Sequence, residues 1–166
     1  AQINARRERF GMQVVHNGNY REALEEAMQK SPVAILTLAD QSPAPDHAYW
    51  STFLGTPTPF AFGPEYMAHR FDMAVVYLDL YQERKGHYSA KAELLFEEVK
   101  GLDFGMITEA IIQAQEKQIR RKPEAWLWSH KRWKLNVPED IAMRTANQKA
   151  QFIQRFGPTI NSEEKN

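Results

Sequence analysis

Cysteine is absent from the 166 residues, which excludes disulfides, thiolate metal sites and a thiol nucleophile. It leaves the compartment open, since cytosolic and periplasmic chains can both lack it. No apolar run approaches the roughly 18–20 residues that span a bilayer. The first ten residues, AQINARRERF, carry no apolar stretch and do not form a signal peptide. An excess of either charge is missing too. Lys plus Arg total 21 and Asp plus Glu total 21, so net charge selects no polyanionic partner. There is no internal repeat and no low-complexity segment. What is present, 43% hydrophobic and 25% charged residues, is the balance of a soluble globular domain, and the length suffices for one domain with a core. The chain opens without Met on a charged segment that runs straight into a strand-like stretch, so it is expected to begin inside a longer protein.

Hydrophobic periodicity gives the elements. Residues 12–15, MQVV, read as a strand, and His16-Asn17-Gly18-Asn19 as a turn. Tyr20, Ala23, Leu24, Ala27 and Met28 recur at i, i+3, i+4, i+7 and i+8, the stripe of a helix. Asn19 and Glu22 form a capping-box-like start to it. Residues 33–38, VAILTL, read as a buried strand, which makes a βαβ unit and implies a parallel sheet. Residues 40–49, rich in Pro and Asp, form a loop at the strand edge where ligands bind in open α/β sheets. Residues 50–55 read as a short strand, Thr58-Pro59 as a helix start running to Phe71, and Met73 to Leu80 as a strand. Residues 87–98 alternate. Tyr88, Ala90, Ala92, Leu94 and Phe96 face one way, and His87, Ser89, Lys91, Glu93 and Glu97 the other, across a turn at Arg84-Lys85-Gly86. Met106 to Lys122 is predicted helical with Ile107, Ala110, Ile111 and Ala114 inward; its basic last turn suits the helix dipole. Pro123 starts a second short helix, and an amphipathic helix around Ile141 to Phe156 precedes a polar tail. The predicted fold is α/β, with a mixed, largely parallel sheet flanked by helices.

Three passages stand out in order. A strand ends in Ala39-Asp40-Gln41. Phe53-Leu54-Gly55 follows, with Thr56, Thr58, Gly63, Met67-Ala68 and Ala74-Val75-Val76. Last comes Pro123-Glu124-Ala125-Trp126-Leu127-Trp128-Ser129-His130-Lys131-Arg132-Trp133-Lys134. Together, from about Arg9 to Lys134, they resemble the late acyltransferases of bacterial lipid A assembly, within the lysophospholipid acyltransferase superfamily. The closing passage is the most specific. Tyr77 departs from the Pro usual in that family after Val-Val, and Ser42 from the acidic residue often found after Asp-Gln. The resemblance implies transfer of a fatty acyl group from an acyl carrier thioester to a hydroxyl of a lipid A precursor. It implies no metal or other cofactor, and a place at the cytoplasmic face of the inner membrane for the intact protein. Residues 1–137 then read as the C-terminal portion of the acyltransferase domain and residues 138–166 as a polar helical tail.

The superfamily's reaction centre is a His followed, after four residues, by Asp or Glu. Five positions after His16, His47, His69, His87 and His130 stand Arg21, Thr52, Ala74, Ala92 and Leu135. None is acidic, so no catalytic residue is assigned in this chain. The dyad is expected upstream, together with an anchoring helix, and the 166 residues alone are expected to be soluble and inactive.

Four residues are candidates for substrate binding. Asp40 and Gln41 sit at the loop beside the cleft, where Asp40 shapes the pocket or merely caps loop amides. Arg9 matches a substrate-contacting Arg implied by the resemblance, and a guanidinium fork suits phosphate oxygens; the bland alternative for Arg6, Arg7 and Arg9 is a solvated charge run. Arg132 belongs to the closing passage. Trp126, Trp128, Trp133 and Lys134 are candidates for lipid contact, indoles at headgroup depth and cations on phosphates, against simple core packing of Trp126 and His130. Stacking on nucleic acid is disfavoured by the neutral balance, and His47 lacks the spaced partners of a metal site. Expected partners are a lipid acceptor, the acyl carrier protein and the membrane surface, with no nucleic acid. The rivals are another glycolipid or an aminolipid as acceptor, and a non-catalytic lipid-surface binding module.

Overall fold

The computed structural model describes residues 2–15, 19–45 and 48–157. Ala1, residues His16 to Gly18 of the predicted turn, the Asp46-His47 pair and the last nine residues lie outside these. Two compact units divide the chain, Ala1–Thr37 and Leu38–Asn166.

The first unit holds α1 (Gln2–Glu8) and α2 (Tyr20–Lys30). The predicted helix is present, with Asn19 at its N-cap position, but no side-chain bond caps it and no residue of α2 is buried. The predicted strands at 12–15 and 33–38 are not formed. A strand exists only when a neighbour takes up its N–H and C=O groups, and among the described residues these runs pair with nothing. Ile35, Leu36 and Leu38 are exposed. The βαβ unit, and with it the largely parallel sheet, is therefore corrected: both sheets are two-stranded and antiparallel.

In the second unit β1 (Ala48–Phe53) turns back into β2 (Thr56–Ala61). The two-residue turn is Leu54-Gly55, both at positive φ, +50° and +81°, the backbone twist that joins antiparallel strands tightly. This turn overrides the helix start expected at Thr58-Pro59. Pro57 and Pro59 pair with Thr52 and Trp50. Counting from the turn, these are the non-hydrogen-bonded positions, where the missing N–H faces away from the partner strand and costs nothing. The helix begins later, as α3 (Gly63–Phe71).

Next, β3 (Val75–Arg84) and β4 (His87–Phe96) form the predicted hairpin. Its faces are inverted relative to the usual rule. The polar face lies on α4 (Met106–Arg121): Tyr77 donates to Gln118 Oε1, Arg121 pairs with Asp79 at 2.5 Å, and Lys117 with Glu93. The outer carbonyls of β3 are also taken from α4's side, Leu80 O by Gln118 and Gln82 O by Lys122. The apolar face is exposed, except that a register shift at Val75/Val76 turns Phe96, expected on this face, onto the core.

Helix α4 organises the core. Phe53, Phe60, Ile112 and Ile119 form one cluster, with Leu54 and Trp126 against it. Ala68, Val99 and Ile107 form a second, with Val75, Phe96 and Ile111. The buried stripe of α4 is Ile107, Thr108, Ile112, Gln115 and Ile119, so Ala110, Ile111 and Ala114 lie on its margin. No side chain of its own caps α4. Fully buried Glu65 from α3 does so, accepting from Gly105 N at 2.6 Å and Thr108 N at 2.9 Å, with the Thr108 hydroxyl also donating. Gly105 has φ +88°, and a Cβ there would lie 2.5 Å from the Tyr49 hydroxyl. A single 3-10 turn, Pro123–Ala125, follows α4, and α5 (Ile141–Phe156) is the amphipathic helix expected there.

Candidate functional site: the closing passage against the first hairpin

Residues 126–134 have no regular backbone beyond short turns, so side-chain anchors hold them. Arg132, exposed by only 1%, is the main anchor. Its Nη2 donates to Pro59 O at 2.7 Å. At that non-hydrogen-bonded position Pro59 turns its carbonyl outward from β1, so the guanidinium completes the edge of β2. The plane also lies 4.5 Å from the Phe60 ring centroid, a cation–π distance. Nη1 reaches Ser42 Oγ at 3.3 Å, and Ser42 Oγ donates back to Arg132 O at 3.4 Å. Trp133 Nε1 donates to buried Thr58 Oγ1, which in turn donates to Thr56 O. Trp126 packs on Phe53, ring centroids 6.1 Å apart.

Through this clasp the closing passage is tied to the Asp40–Ser42 loop, ninety residues away in sequence for the Ser42–Arg132 pair. Burial holds the Arg132 guanidinium below its usual pKa, opposed by the negative charge of Asp40. Asp40 also acts on Tyr77, whose phenol is pushed up to about 12 by burial, then by Asp79 and Asp40. Asp40 thus lies within electrostatic reach of both Arg132, which is bonded to Ser42, and Tyr77, whose other charged neighbours include Asp79 and Arg121, paired with each other. Asp79 is 7% exposed; its Oδ2 accepts from Arg121, and its Oδ1 has no partner among the described residues.

Of the sequence candidates, Asp40 and Arg132 come together, with Gln41 exposed beside them. Arg9 lies in the first unit, exposed, its guanidinium over the Phe10 ring. Trp126 is half-buried in the core, whereas Trp128 and Trp133 are 53% and 40% exposed and Lys134 is exposed. Trp128 Nε1 is nonetheless fixed, donating to Pro123 O at 2.7 Å. Sequence reasoning missed Asp79 and Arg121. A two-residue count along β3 from Tyr77 reaches Asp79, and the basic last turn of α4 was already visible. Missing was the knowledge that the polar face of the hairpin is the covered one. Among the described residues no group of three or more His, Asp or Glu could hold a metal ion.

The sequence profile of the bacterial lipid A biosynthesis acyltransferases matches residues 1–135. The chain belongs to that family. Comparison with curated proteins and with solved structures gave no match. The acyltransferase profile ends one residue past Lys134, so the clasp lies inside the matched region and α5 outside it. Among the described residues no helix is long and apolar enough to cross a membrane.

Proposed function

We propose that this acyltransferase chain takes part in moving a fatty acyl group from an acyl carrier thioester to a hydroxyl of a lipid A precursor at the cytoplasmic face of the inner membrane. The match over residues 1–135 carries the reading. The clasp supports it: a buried Arg, two indoles and a buried Thr hold the closing passage on the first hairpin, and Ser42 ties the Asp40–Gln41 loop to it. Asp40 and Gln41 are assigned to the acceptor pocket. Arg132 acts on that pocket through Ser42, because a guanidinium 1% exposed has no open face for a ligand. Arg9 is assigned to phosphate of the acceptor or the carrier's phosphopantetheine.

The reaction is direct attack by the acceptor hydroxyl on the thioester carbonyl. A histidine takes the hydroxyl proton, an adjacent acid orients it, and the thiol of the carrier leaves. None of the five histidines has an acid five positions on, so in this reading the base comes from residues outside these 166. Trp128, Trp133 and Lys134 are assigned to the lipid surface from which the acceptor is drawn.

The test starts with the reading frame upstream of the Ala1 codon, followed by an assay of the encoded protein with acyl carrier thioesters and lipid acceptors. An in-frame His-x4-Asp/Glu motif and transfer to a lipid A precursor are expected, with no turnover by the 166-residue chain alone. Turnover by that chain would overturn the placement of the base. Absence of both motif and transfer, with vesicle binding retained, would make the protein a lipid-surface module instead.

A further inference from the structure

The β3–β4 hairpin carries its apolar side chains outward. On one face stand Val76, Leu78, Leu80, Tyr88 and Leu94, exposed by 53, 43, 60, 72 and 57%. Ala90 and Ala92, paired with Leu80 and Leu78, fill the space between them and are exposed as well. The polar face is occupied by α4, so rotating the hairpin cannot bury this one. A hairpin with a clean alternation ordinarily packs its apolar side on the core; a contiguous apolar face left open marks an interaction site.

Two features point to what covers it. The hairpin ends in Arg84-Lys85-Gly86-His87, exposed residues that place basic side chains at its turn. The acid nearby, Glu83, accepts from Ser89 Oγ. Close to the same end, Lys122 Nζ holds Gln82 O at 2.6 Å, and the next residue, Pro123, accepts from the Trp128 indole. The exposed Trp128 and Leu127, 53 and 67%, are thereby tethered to the turn end of the hairpin. An apolar sheet face that ends in a cationic tip, with an exposed indole near that tip, matches the layering of an anionic bilayer: acyl chains below, phosphates at the headgroup level. The face is small for a second copy of the chain. It offers seven side chains, Val76, Leu78, Leu80, Tyr88, Ala90, Ala92 and Leu94, against the roughly 20–30 residues per partner of a stable dimer.

We infer that the β3–β4 hairpin is a membrane-docking element, laying its Val76–Leu80 and Tyr88–Leu94 face on an anionic lipid surface with Arg84 and Lys85 on the phosphates. The inference draws on the lipid-surface part of the proposed function, extends it to residues outside the closing passage, and does not depend on acyl transfer.

Vesicles of phosphatidylcholine, and of equal parts phosphatidylcholine and phosphatidylglycerol, test it by cosedimentation with the 166-residue chain. Binding to the mixed vesicles, weakened by salt, is expected. Leu80→Asp should lower it about tenfold or more. Arg84→Glu with Lys85→Glu should lower it about tenfold on mixed vesicles only. All three sites are exposed, and circular dichroism checks that the variants fold. Because the chain has no cysteine, single Ala90→Cys, Lys91→Cys and Ala92→Cys variants accept a polarity-sensitive fluorophore cleanly. Blue shifts at 90 and 92 but not 91, on mixed vesicles, are the expected signature of a sheet face lying on lipid. Wild-type binding by the hairpin variants alongside loss in Trp128→Ala would overturn the inference while leaving the closing passage as the lipid contact. No vesicle binding by any form would overturn both. Concentration-dependent self-association abolished by Leu80→Asp, without vesicle binding, would assign the face to a second copy. A fluorophore at 92 already blue-shifted without vesicles in the protein encoded by the complete reading frame would assign it to polypeptide.

Discussion

Arg132 shows how one side chain serves as volume, donor and charge together. Burying a guanidinium without a paired carboxylate is costly, and here Pro59 O, Ser42 Oγ and the Phe60 ring offset that cost while Asp40 adds a favourable field. The contributions separate by substitution. Arg132→Ala leaves a cavity beside Phe53 and Phe60 and is expected to cost about 2–4 kcal/mol. Arg132→Met keeps most of the volume, loses the bond to Pro59 O, and should cost about half as much or less; urea denaturation measures both. Glu65 poses a second residue-scale question, because it is fully buried among donors. Burial raises its pKa, opposed by the bonds from Thr108 and Gly105. The sign follows from proton counting. With the folded-state pKa above the unfolded one, the native state binds the extra proton between the two. The carboxyl's contribution is then fully present below the unfolded value and is lost as pH rises through the folded one. Urea midpoints measured upward from pH 4.5 should show that decline, and Glu65→Gln should remove it.

At the scale of elements, α5 is held by aromatic contacts of Phe152 and Phe156, the latter against Tyr66 and His69. Phe152 is its single buried residue, and it meets Phe62, Phe104 and His69 at ring distances of 6.1, 5.6 and 4.8 Å. His69 also faces Phe156, and its Nε2 is buried with no partner among the described residues. Burial lowers its pKa, opposed by Asp72. For a base with a depressed folded pKa, stability is fully present above the unfolded value of 6.5 and is lost as pH falls through the folded one. Amide protection factors in α5, corrected for the intrinsic pH dependence of exchange, should therefore fall below about pH 6.5, and His69→Phe should flatten the dependence. Helices like this one were legible in the sequence because their signal is local: the stripes at 20–28, 106–122 and 141–156 each mark an observed helix. The β3–β4 hairpin was legible for the same reason, its turn and alternation lying within about twenty residues. The strands at 12–15 and 33–38 were misread because an apolar run states only a demand for burial, not a partner. Thr58-Pro59 was misread because a helix-start dipeptide is also compatible with a strand position whose backbone N–H is not needed by the partner strand, close to a tight turn. Asp40 and Arg132 could be nominated, but not the clasp joining them: a contact across ninety residues has no periodicity to betray it.

The whole molecule divides unevenly between its two units. Every buried side chain of the hydrophobic core, from Phe53 to Phe152, belongs to Leu38–Asn166, as do both core clusters and the clasp. The first unit offers two short helices, and no side chain of α2 is buried. An isolated helix shorter than about 12–15 residues is marginal in water, and α2 has 11. The two units should therefore respond differently to truncation. A chain of residues 38–166 is expected to fold cooperatively, with a stability within about 1 kcal/mol of the full 166 residues, because deletion removes no buried core residue. Residues 1–37 alone are expected to give the circular dichroism of a largely unfolded peptide. Thermal melts of the two chains and of the parent decide the point. A loss of cooperativity in 38–166 would show that the first unit contributes packing that residue burial does not register. The functional weight runs the other way. The acyltransferase match begins at residue 1 and stops at 135, so it includes the weakly packed first unit with Arg9 and leaves out α5, which is anchored in the aromatic core. If the truncated chain is as stable as the parent, the family's sequence signature over residues 1–37 is not explained by stability, and Arg9→Ala, assayed in the protein encoded by the complete reading frame, becomes the substitution to test. It should lower acyl transfer without moving the melting temperature.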